Sequence, residues 1–532
     1  MQAKRMASAI PRIYGAALIV TVAVLMVPAC SDVPGENIDT VETYEKASGS
    51  AGKNGKALDT KDFWAQDLTT NGFYSFKADL LAEGERCNVW VEQASMKYIS
   101  DIATANKIAA EYDKNIYDKM IAAFSIDGVQ VELSDGNVME GNIMEAADWL
   151  TDGNGKLTIL LLDIKDGYTA NGSYVAGYFT PVNFYMYNSG SSTRSNEMDM
   201  IYLDTYPSKQ ESAESYTILA HEMQHLMNFV TTLVKRNDQT GIMMMDTWID
   251  EGLSSAAEYV YMGSHVKERY DWFNDDRRGT IAKGNNFFVW GNLADDSILD
   301  DYATVYLFFQ WLRIHQDSGK NIYKDIITST SHDYNAVVNA AHKNISWYND
   351  KSWSGLLEAW LAANYINAES GKYGYKNDSM LKNVKAKTAP AVDNLPLLPG
   401  EAVYSITSNN GDTSSYASGS GSNIRYAGLK KGDEGTVSPS STYSGGALLT
   451  YNANSDCGGS KETGKLTGRA ETASVWQSVL QLGMSGAAER GPVRIDARDM
   501  LARNGLPMET EALTRNIAPL QNAVLTGNST GE

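Results

Sequence analysis

The stretch His221-Glu222-Met223-Gln224-His225 determines how the centre of the chain folds. At about 100° per residue, two histidines four positions apart lie about 40° apart around a helix, so both imidazoles project from one face. Glu222 lies about one residue's rotation away from His221. Two ligands on a rigid helix suit a tetrahedral zinc site, which takes a third protein ligand and leaves one position for water. The motif therefore predicts that His221 and His225 bind a metal ion.

The residues around the motif predict a long, buried helix. Pro207 precedes Ser208-Lys209-Gln210-Glu211, which has the pattern of a capping box and predicts the start of the helix. An apolar stripe on the face opposite the histidines is expected to anchor the helix in a core, and its members are Leu219, Met223, Leu226, Met227 and Val230.

The best candidate for the third ligand is Glu251, in the run Thr247-Trp248-Ile249-Asp250-Glu251-Gly252-Leu253-Ser254-Ser255-Ala256-Ala257-Glu258. The run predicts a second helix that returns antiparallel to the first, with Asp246 as its cap. Glu251, Ser255 and Glu258 share one face of that helix. Glu258 is expected either to orient a ligand histidine or to be a solvated helical residue.

These residues resemble those of a known group of enzymes. His221-Glu222-Met223-Gln224-His225 with Glu251-Gly252-Leu253-Ser254 resembles the gluzincin metallopeptidases and is similar to the hyicolysin-like family. The resemblance is densest between about residues 173 and 312. A metzincin is excluded, because that group continues with a glycine and a third histidine where this chain has Asn228 and Thr231.

The resemblance implies a zincin-like fold and the hydrolysis of peptide bonds with one catalytic Zn²⁺. It implies that Glu222 is the general base, which accepts a proton from the attacking water and passes it to the leaving amine. In related aminopeptidases a tyrosine after the glutamate ligand donates to the oxyanion. Tyr302, in Asp301-Tyr302-Ala303-Thr304-Val305-Tyr306-Leu307, resembles that tyrosine. The alternative for Tyr302 is simple packing in an apolar stretch.

The first thirty residues have the features of an export signal. Basic residues precede a largely apolar stretch, residues 13–27, which is shorter than the ~20 residues that cross a bilayer as a helix. The ending Val27-Pro28-Ala29-Cys30 resembles the lipobox of bacterial lipoproteins and predicts lipidation of Cys30 as a membrane anchor. Pro28 departs from the small or hydroxyl residue that is usual at the second position before the cysteine. The alternative is therefore a conventional cleaved signal, which would give a secreted protein.

Composition and periodicity predict an α+β protein of several regions. The predicted regions are a lipoprotein signal peptide (1–30), a flexible tether (31–58), a main domain (59–375, β-rich over 59–98), a Gly/Ser-rich β or disordered region (376–465) and a tail of unknown structure (466–532). The resemblance implies that the main domain is a zincin-like metallopeptidase domain with a mixed sheet, an active-site helix and a helical C-terminal subdomain. Within the main domain, helices are predicted at 99–124, 302–314 and 353–366, and strands at 73–76, 87–91, 157–162, 178–187 and 198–203.

Charge and cysteine content limit the partners. The 532 residues carry 45 Lys and Arg against 65 Asp and Glu, a formal net charge of −20. This charge repels phosphates and excludes nucleic acid as a partner. Cys87 and Cys457 form a disulfide or remain two thiols, and too few cysteines remain for a thiol-metal cluster. The turn Asp152-Gly153-Asn154-Gly155-Lys156 is not an EF-hand loop, because Leu157 occupies the position of the required glycine.

Two classes of function follow. The first is a zinc endopeptidase that acts on extracellular or cell-envelope proteins, with proteins or peptides as its substrates. The alternative is a non-catalytic, zinc-containing surface lipoprotein that binds host or matrix components. Glu222 favours the enzyme, because a site that only holds a metal has no need of that carboxylate.

Overall fold

A computed structural model describes residues 57–455, except for 100–101, 134–135, 169–172, 186–193, 239–240, 243, 278, 285–287, 289–297, 391–396, 398, 407–422 and 430–445, and also describes 493–494 and 524–525. Cys30, nearly all of the predicted tether and most of the predicted tail lie outside these residues. Cys87 is buried, but Cys457 is not described, so their pairing stays open. No helix in the described part has the length and apolar character needed to cross a membrane.

Strands and helices alternate in the first part of the chain, and the structure is mainly helical from residue 213 to 366. The strands are β1 Asp59–Asp67, β2 Gly72–Glu83, β3 Cys87–Glu92, β4 Val129–Glu132, β5 Val138–Gly141, β6 Leu157–Leu162, β7 Ser173–Tyr174, β8 Gly177–Tyr178, β9 Met200–Asp204, β10 Asn237–Asp238, β11 Gly241–Ile242, β12 Thr388–Pro390, β13 Ala402–Ile406, β14 Ile424–Leu429, β15 Ala447–Asn452, β16 Val493–Arg494 and β17 Val524–Leu525. The α-helices are α1 Ile102–Glu111, α2 Tyr117–Phe124, α3 Ile143–Trp149, α4 Ala213–Arg236, α5 Thr247–Met262, α6 Lys267–Asp275, α7 Ile298–His315, α8 Ile322–Ile327, α9 Tyr334–Asn344 and α10 Trp353–Ile366.

A mixed six-stranded sheet forms the first layer of the fold, in the order β1-β2-β3-β6-β9-β8. β3, β6 and β9 are parallel, while β1, β2 and β8 run antiparallel to their neighbours. All six residues of β6 are buried, as expected for an apolar run that is covered on both faces. The structure thus confirms the predicted central strand at 157–162. α1 packs against β2 and β3, and α4 packs against β8 and β9.

The helical layer is built around α4. Every residue of α4 from Thr217 to Val234 is buried, including the predicted apolar stripe. The two motif histidines are buried as well, because α5 covers the face from which they project. α5 in turn packs against α7. A Cβ atom on Gly252 of α5 would overlap the ring of Phe309 on α7, so the absence of a side chain at Gly252 allows this close approach.

A second sheet follows the helices, with the strand order β12-β13-β15-β14. It belongs to the 376–465 region, for which the sequence predicts either β structure or disorder. The sheet packs against α10, where the Tyr404 hydroxyl donates to the Leu361 carbonyl at 2.8 Å and the Tyr451 hydroxyl donates to Glu358 at 2.5 Å. Its apolar side chains are part of the same core as the helices. The predicted boundaries of the regions stay predictions.

The predicted start of α4 is wrong. The helix begins at Ala213, and the hydroxyl of Ser212, not that of Ser208, accepts a hydrogen bond from the Ser215 N–H at 3.1 Å. Glu211, the other half of the predicted capping box, is engaged by Thr104 and Lys107 of α1. Glu211 therefore makes a tertiary contact with α1 and does not take part in the helix cap that the local pattern predicts.

Two further predicted elements differ from the structure. The strand predicted at 178–187 ends at Tyr178 within its described part, 178–185, because Thr180 accepts a hydrogen bond from the Val182 N–H and caps a 3₁₀ turn over Pro181–Phe184. Proline cannot donate to a strand ladder, which explains the change. Residues 186–187 lie outside the described residues. The predicted helix at 99–124 is present from residue 102, but a wider π-helical turn at Tyr112–Ile116 divides it into α1 and α2. The helices predicted at 302–314 and 353–366 are confirmed as α7 and α10.

We expect Gly252→Ala to destabilise the protein, although alanine is the better helix former. The helical preference contributes roughly 1 kcal/mol in favour of alanine, whereas overpacking of a buried contact costs about 1–3 kcal/mol. The overlap with the fully buried Phe309 should dominate. Urea unfolding should show a lower midpoint for Gly252→Ala, and the added substitution Phe309→Leu should recover part of the loss. A midpoint equal to or above that of the wild type would show that α5 and α7 are not in close contact.

Candidate metal centre

Three buried side chains converge between α4 and α5. Nε2 of His221 and Nε2 of His225 each lie 3.6 Å from Oε2 of Glu251. One ligand atom from each of the three residues lies within 4.8 Å of the other two, and none of the side chains is exposed. The structure therefore brings together the two histidines of the motif and the glutamate predicted from the second helix.

The atoms that face one another in this group suit a cation. Among the described residues, Nε2 of both histidines and Oε1 of Glu251 are buried without a hydrogen-bond partner. Leaving such atoms unpaired costs about 1–3 kcal/mol each. Zinc binds imidazole nitrogen and carboxylate oxygen at about 2.0–2.2 Å, so one ion held by both imidazoles and the Glu251 carboxylate would satisfy the two nitrogens. Two nitrogens and one carboxylate are a donor set found in catalytic zinc sites.

The other ring nitrogen of each histidine is held by a side chain of α5. Nδ1 of His221 lies 2.9 Å from Oε1 of Glu258. Nδ1 of His225 lies 3.0 Å from the Ser254 hydroxyl and 3.1 Å from Oδ2 of Asp250. Such partners fix the orientation of a ligand imidazole and turn its Nε2 towards the metal. The contacts run in opposite directions along the two helices, so α4 and α5 are antiparallel, as the sequence predicts.

Several residues of this site are not found by reasoning from the sequence. Asp250 and Ser254 lie within one turn of Glu251, and their helical spacing is the signal that would identify them. Asn228 of α4 donates to Oδ1 of Asp250 at 2.5 Å. Arg269 of α6 donates to Glu258 with two nitrogens, at 2.7 Å to Oε1 and 3.3 Å to Oε2. No local pattern links Arg269 to the motif, because the contact depends on how α6 packs.

The buried charges of the site shift one another's pKa values. Burial lowers the pKa of both histidines, but the neighbouring carboxylates outweigh it, and the pKa of His221 and of His225 is raised. Burial alone would raise the pKa of Glu251, yet the two imidazoles hold it below its ordinary value. Glu258 also has a lowered pKa, because Arg269 and His221 outweigh its burial. The neighbouring groups therefore offset part of the cost of burying one another's charges.

Glu222 differs from the other carboxylates. Burial raises the pKa of Glu222 to about 8, while His221 and His225 oppose the shift. Its Oε2 is buried and has no hydrogen-bond partner in the part of the chain that the structure describes. Strongly perturbed carboxyl groups beside a ligand cluster are typical of catalytic sites.

Tyr302 of α7 also reaches this group. Its hydroxyl donates to Oε2 of Glu251 at 3.1 Å, and its ring centroid lies 6.3 Å from that of His221. The side chain is fully buried. The structure thus brings the predicted tyrosine to the ligand cluster, and its role towards an oxyanion stays a prediction.

A second set of acidic side chains lies elsewhere in the fold, on Asp148, Asp152 and Asp199. It surrounds the predicted turn after Asp152, whose Gly155 N–H donates to Asp148 at 2.6 Å. Three carboxylates alone do not define a cation site, and they have no connection with the histidine cluster.

An α+β fold that buries a His-His-Glu group between two antiparallel helices has the features of a zinc metallopeptidase. The chain is similar to the neutral metalloprotease ShpI of Staphylococcus hyicus, with 29% identity over 381 residues, which cover 70% of this chain and 78% of ShpI. No protein-family model matches the chain. The similarity and the His-His-Glu group together support a zinc metallopeptidase, a hydrolase with protein or peptide substrates.

Loss of a residue that hydrogen-bonds to a metal ligand weakens metal binding by about 10- to 100-fold. We expect Glu251→Gln, which changes a ligand itself, to weaken zinc binding by more than this. The amide removes the negative charge that faces both imidazoles at 3.6 Å. Competition with a chromophoric chelator would measure the dissociation constant, and the exposed carboxylate Glu369 offers a matched control as Glu369→Gln. Equal zinc affinity in Glu251→Gln and the control would contradict the assignment of the third ligand.

Proposed function

We propose that the protein is a zinc-dependent endopeptidase of the gluzincin group, with His221, His225 and Glu251 as metal ligands and Glu222 as general base. The observation that carries the proposal is the buried carboxyl group of Glu222 beside a His-His-Glu cluster, because its Oε2 has no hydrogen-bond partner among the described residues. A site that only stabilised the fold would gain nothing from burying a fourth acidic group that leaves an oxygen unpaired. The similarity to a neutral metalloprotease supports the same conclusion.

The proposed chemistry divides between the metal and the chain. Bound zinc supplies a Lewis acid that lowers the pKa of water to about 7 and polarises a carbonyl. Glu222 accepts the proton of the attacking water and delivers it to the leaving amine. Positive charge nearby favours the carboxylate form of such a group, which is the form that accepts a proton. Because Glu222 is buried from bulk solvent, the proton that it accepts is retained for transfer to the amine.

Glu258 and Tyr302 complete the proposed machinery. Glu258 accepts from Nδ1 of His221 and thereby directs Nε2 towards the metal. The hydroxyl of Tyr302 lies next to Oε2 of the proposed ligand Glu251. We propose that it donates a hydrogen bond to the oxyanion that forms when water attacks the peptide carbonyl. For this step the hydroxyl exchanges its bond to Glu251 for one to the substrate.

The proposed setting of the enzyme is the cell envelope. The lipobox-like Cys30 supports an exported lipoprotein that is anchored in the membrane, with residues 31–58 as a tether for the domain at 59–375. Extracellular or envelope proteins are then the accessible substrates. The alternative is a secreted enzyme that is released after conventional signal cleavage. Pro28, which departs from the usual lipobox residue, leaves this alternative open.

We expect Glu222→Ala to retain zinc and to lose cleavage of an unfolded protein such as casein. General acid–base catalysis contributes about 10²- to 10⁴-fold, so residual hydrolysis should fall by at least that range. Zinc content by atomic absorption and release of labelled casein fragments would measure the two properties on one preparation.

The controls separate loss of chemistry from loss of structure. Glu369→Ala changes an exposed acidic residue and should cleave casein like the wild type. Removal of zinc with a chelator should abolish the wild-type activity, and added zinc should restore it. Cleavage by zinc-loaded Glu222→Ala at the wild-type rate would overturn the mechanism. A wild-type protein that holds zinc but cleaves nothing would favour the non-catalytic surface lipoprotein.

We expect Cys30→Ala to release the protein from the membrane fraction of the cells that produce it. Acyl chains contribute about 0.8 kcal/mol for each buried methylene, and alanine cannot carry them. Detergent phase partitioning of the expressed wild type and variant would measure the change. If the wild type already partitions into the aqueous phase, the secreted alternative replaces the anchored form.

A further inference from the structure

One buried arginine contacts both sides of the ligand cluster. Arg269 of α6 is 3% exposed, although an arginine is rarely buried without a paired charge. Its guanidinium donates to both carboxylate oxygens of Glu258 and lies over the ring of Tyr302, with 4.7 Å from Cζ to the ring centroid. Glu258 and Tyr302 are the side chains that contact the ligands His221 and Glu251 respectively.

The first route from Arg269 leads to His221. Oε1 of Glu258 accepts from Nη2 of Arg269 at 2.7 Å and lies 2.9 Å from Nδ1 of His221. A carboxylate held by two nitrogens of a planar guanidinium has a fixed position and plane. The plane of Glu258 therefore determines the direction from which it contacts His221, and with it the direction of Nε2.

The second route leads to Glu251. The guanidinium packs on the face of Tyr302, and the hydroxyl of Tyr302 donates to Oε2 of Glu251 at 3.1 Å. Arginine over an aromatic face is an attractive arrangement that contributes about 2 kcal/mol when it is desolvated. The contacts form a closed ring from Arg269 through Glu258, His221, Glu251 and Tyr302 back to Arg269.

We propose that Arg269 is a positioning residue that sets the geometry of two of the three zinc ligands. This inference rests on the proposed function, because it requires that His221 and Glu251 hold zinc. It goes beyond that function by assigning metal affinity and coordination geometry to a residue of α6, which contributes no ligand. Lysine would not replace Arg269, because an ammonium group lacks the planar fork and covers the Tyr302 ring less completely.

The test uses the full-length protein with the Glu222→Ala substitution as parent, so that no self-cleavage occurs. The variants are Arg269→Lys, Arg269→Met and the pair Glu258→Gln with Arg269→Met. The matched control is Arg277→Met, which removes an exposed arginine paired with Asp275. Chelator competition gives the zinc dissociation constant, and the visible spectrum of the Co²⁺-loaded protein reports the coordination geometry.

We expect Arg269→Met to bind zinc about 10- to 100-fold more weakly than the parent, as for other outer partners of metal ligands. Its Co²⁺ bands should shift in energy and intensity, and Arg269→Lys should fall between the parent and Arg269→Met. Arg277→Met should match the parent in both measurements. A purely structural role of Arg269 would lower the unfolding temperature without a change in the Co²⁺ spectrum.

Arg269→Met leaves Glu258 as an unpaired buried charge, which can prevent folding. The double variant keeps the test valid in that case. It removes both charges and retains an acceptor for Nδ1 of His221. Weaker zinc binding with a shifted Co²⁺ spectrum in a folded double variant supports the proposal. Parent-like affinity and spectrum in any folded Arg269 variant overturn it. A parent that binds no zinc would instead disprove the proposed function, and this inference with it.

Discussion

The structure depends on the burial of two imidazoles and a carboxylate that face one another between α4 and α5. Nε2 of His221 and Nε2 of His225 each lie 3.6 Å from Oε2 of Glu251, and no hydrogen bond satisfies either nitrogen among the described residues. Removing charged groups from water costs several kcal/mol per ion after relaxation. The fold therefore accepts a penalty at its centre, and a cation among these atoms would reverse it. Metal binding and the stability of the folded protein are for this reason coupled.

The surroundings of the cluster follow from that constraint. α4 is buried from Thr217 to Val234, and α5 supplies Asp250, Ser254 and Glu258 as partners for its two histidines. α7 approaches α5 closely at Gly252, which places Tyr302 within hydrogen-bond distance of Glu251. α6 adds Arg269, which balances the charge of Glu258. Glu222 has one oxygen without a hydrogen-bond partner among the described residues, and burial raises its pKa to about 8, whereas the pKa of Glu251 is lowered.

The parts of this arrangement that the sequence predicts are those set by helical periodicity. The spacing of His221 and His225 determines their common face, and the acidic face of the following helix indicates Glu251 and Glu258. Long apolar runs likewise predict β6 and α10. The failures occur where a distant contact decides the outcome. Glu211 binds α1 and does not cap α4, and the 178–187 strand gives way to a turn at Pro181. Arg269 is not predictable from local sequence, because its partners are determined by tertiary packing.

Anomalous diffraction from crystals of the zinc-loaded protein, recorded on both sides of the zinc absorption edge, tests the central claim most directly. The account predicts one strong anomalous peak between α4 and α5, at bonding distance of about 2.0–2.2 Å from Nε2 of His221, Nε2 of His225 and a carboxylate oxygen of Glu251. A zinc peak that lies elsewhere, or the absence of any peak between these three side chains, would contradict it.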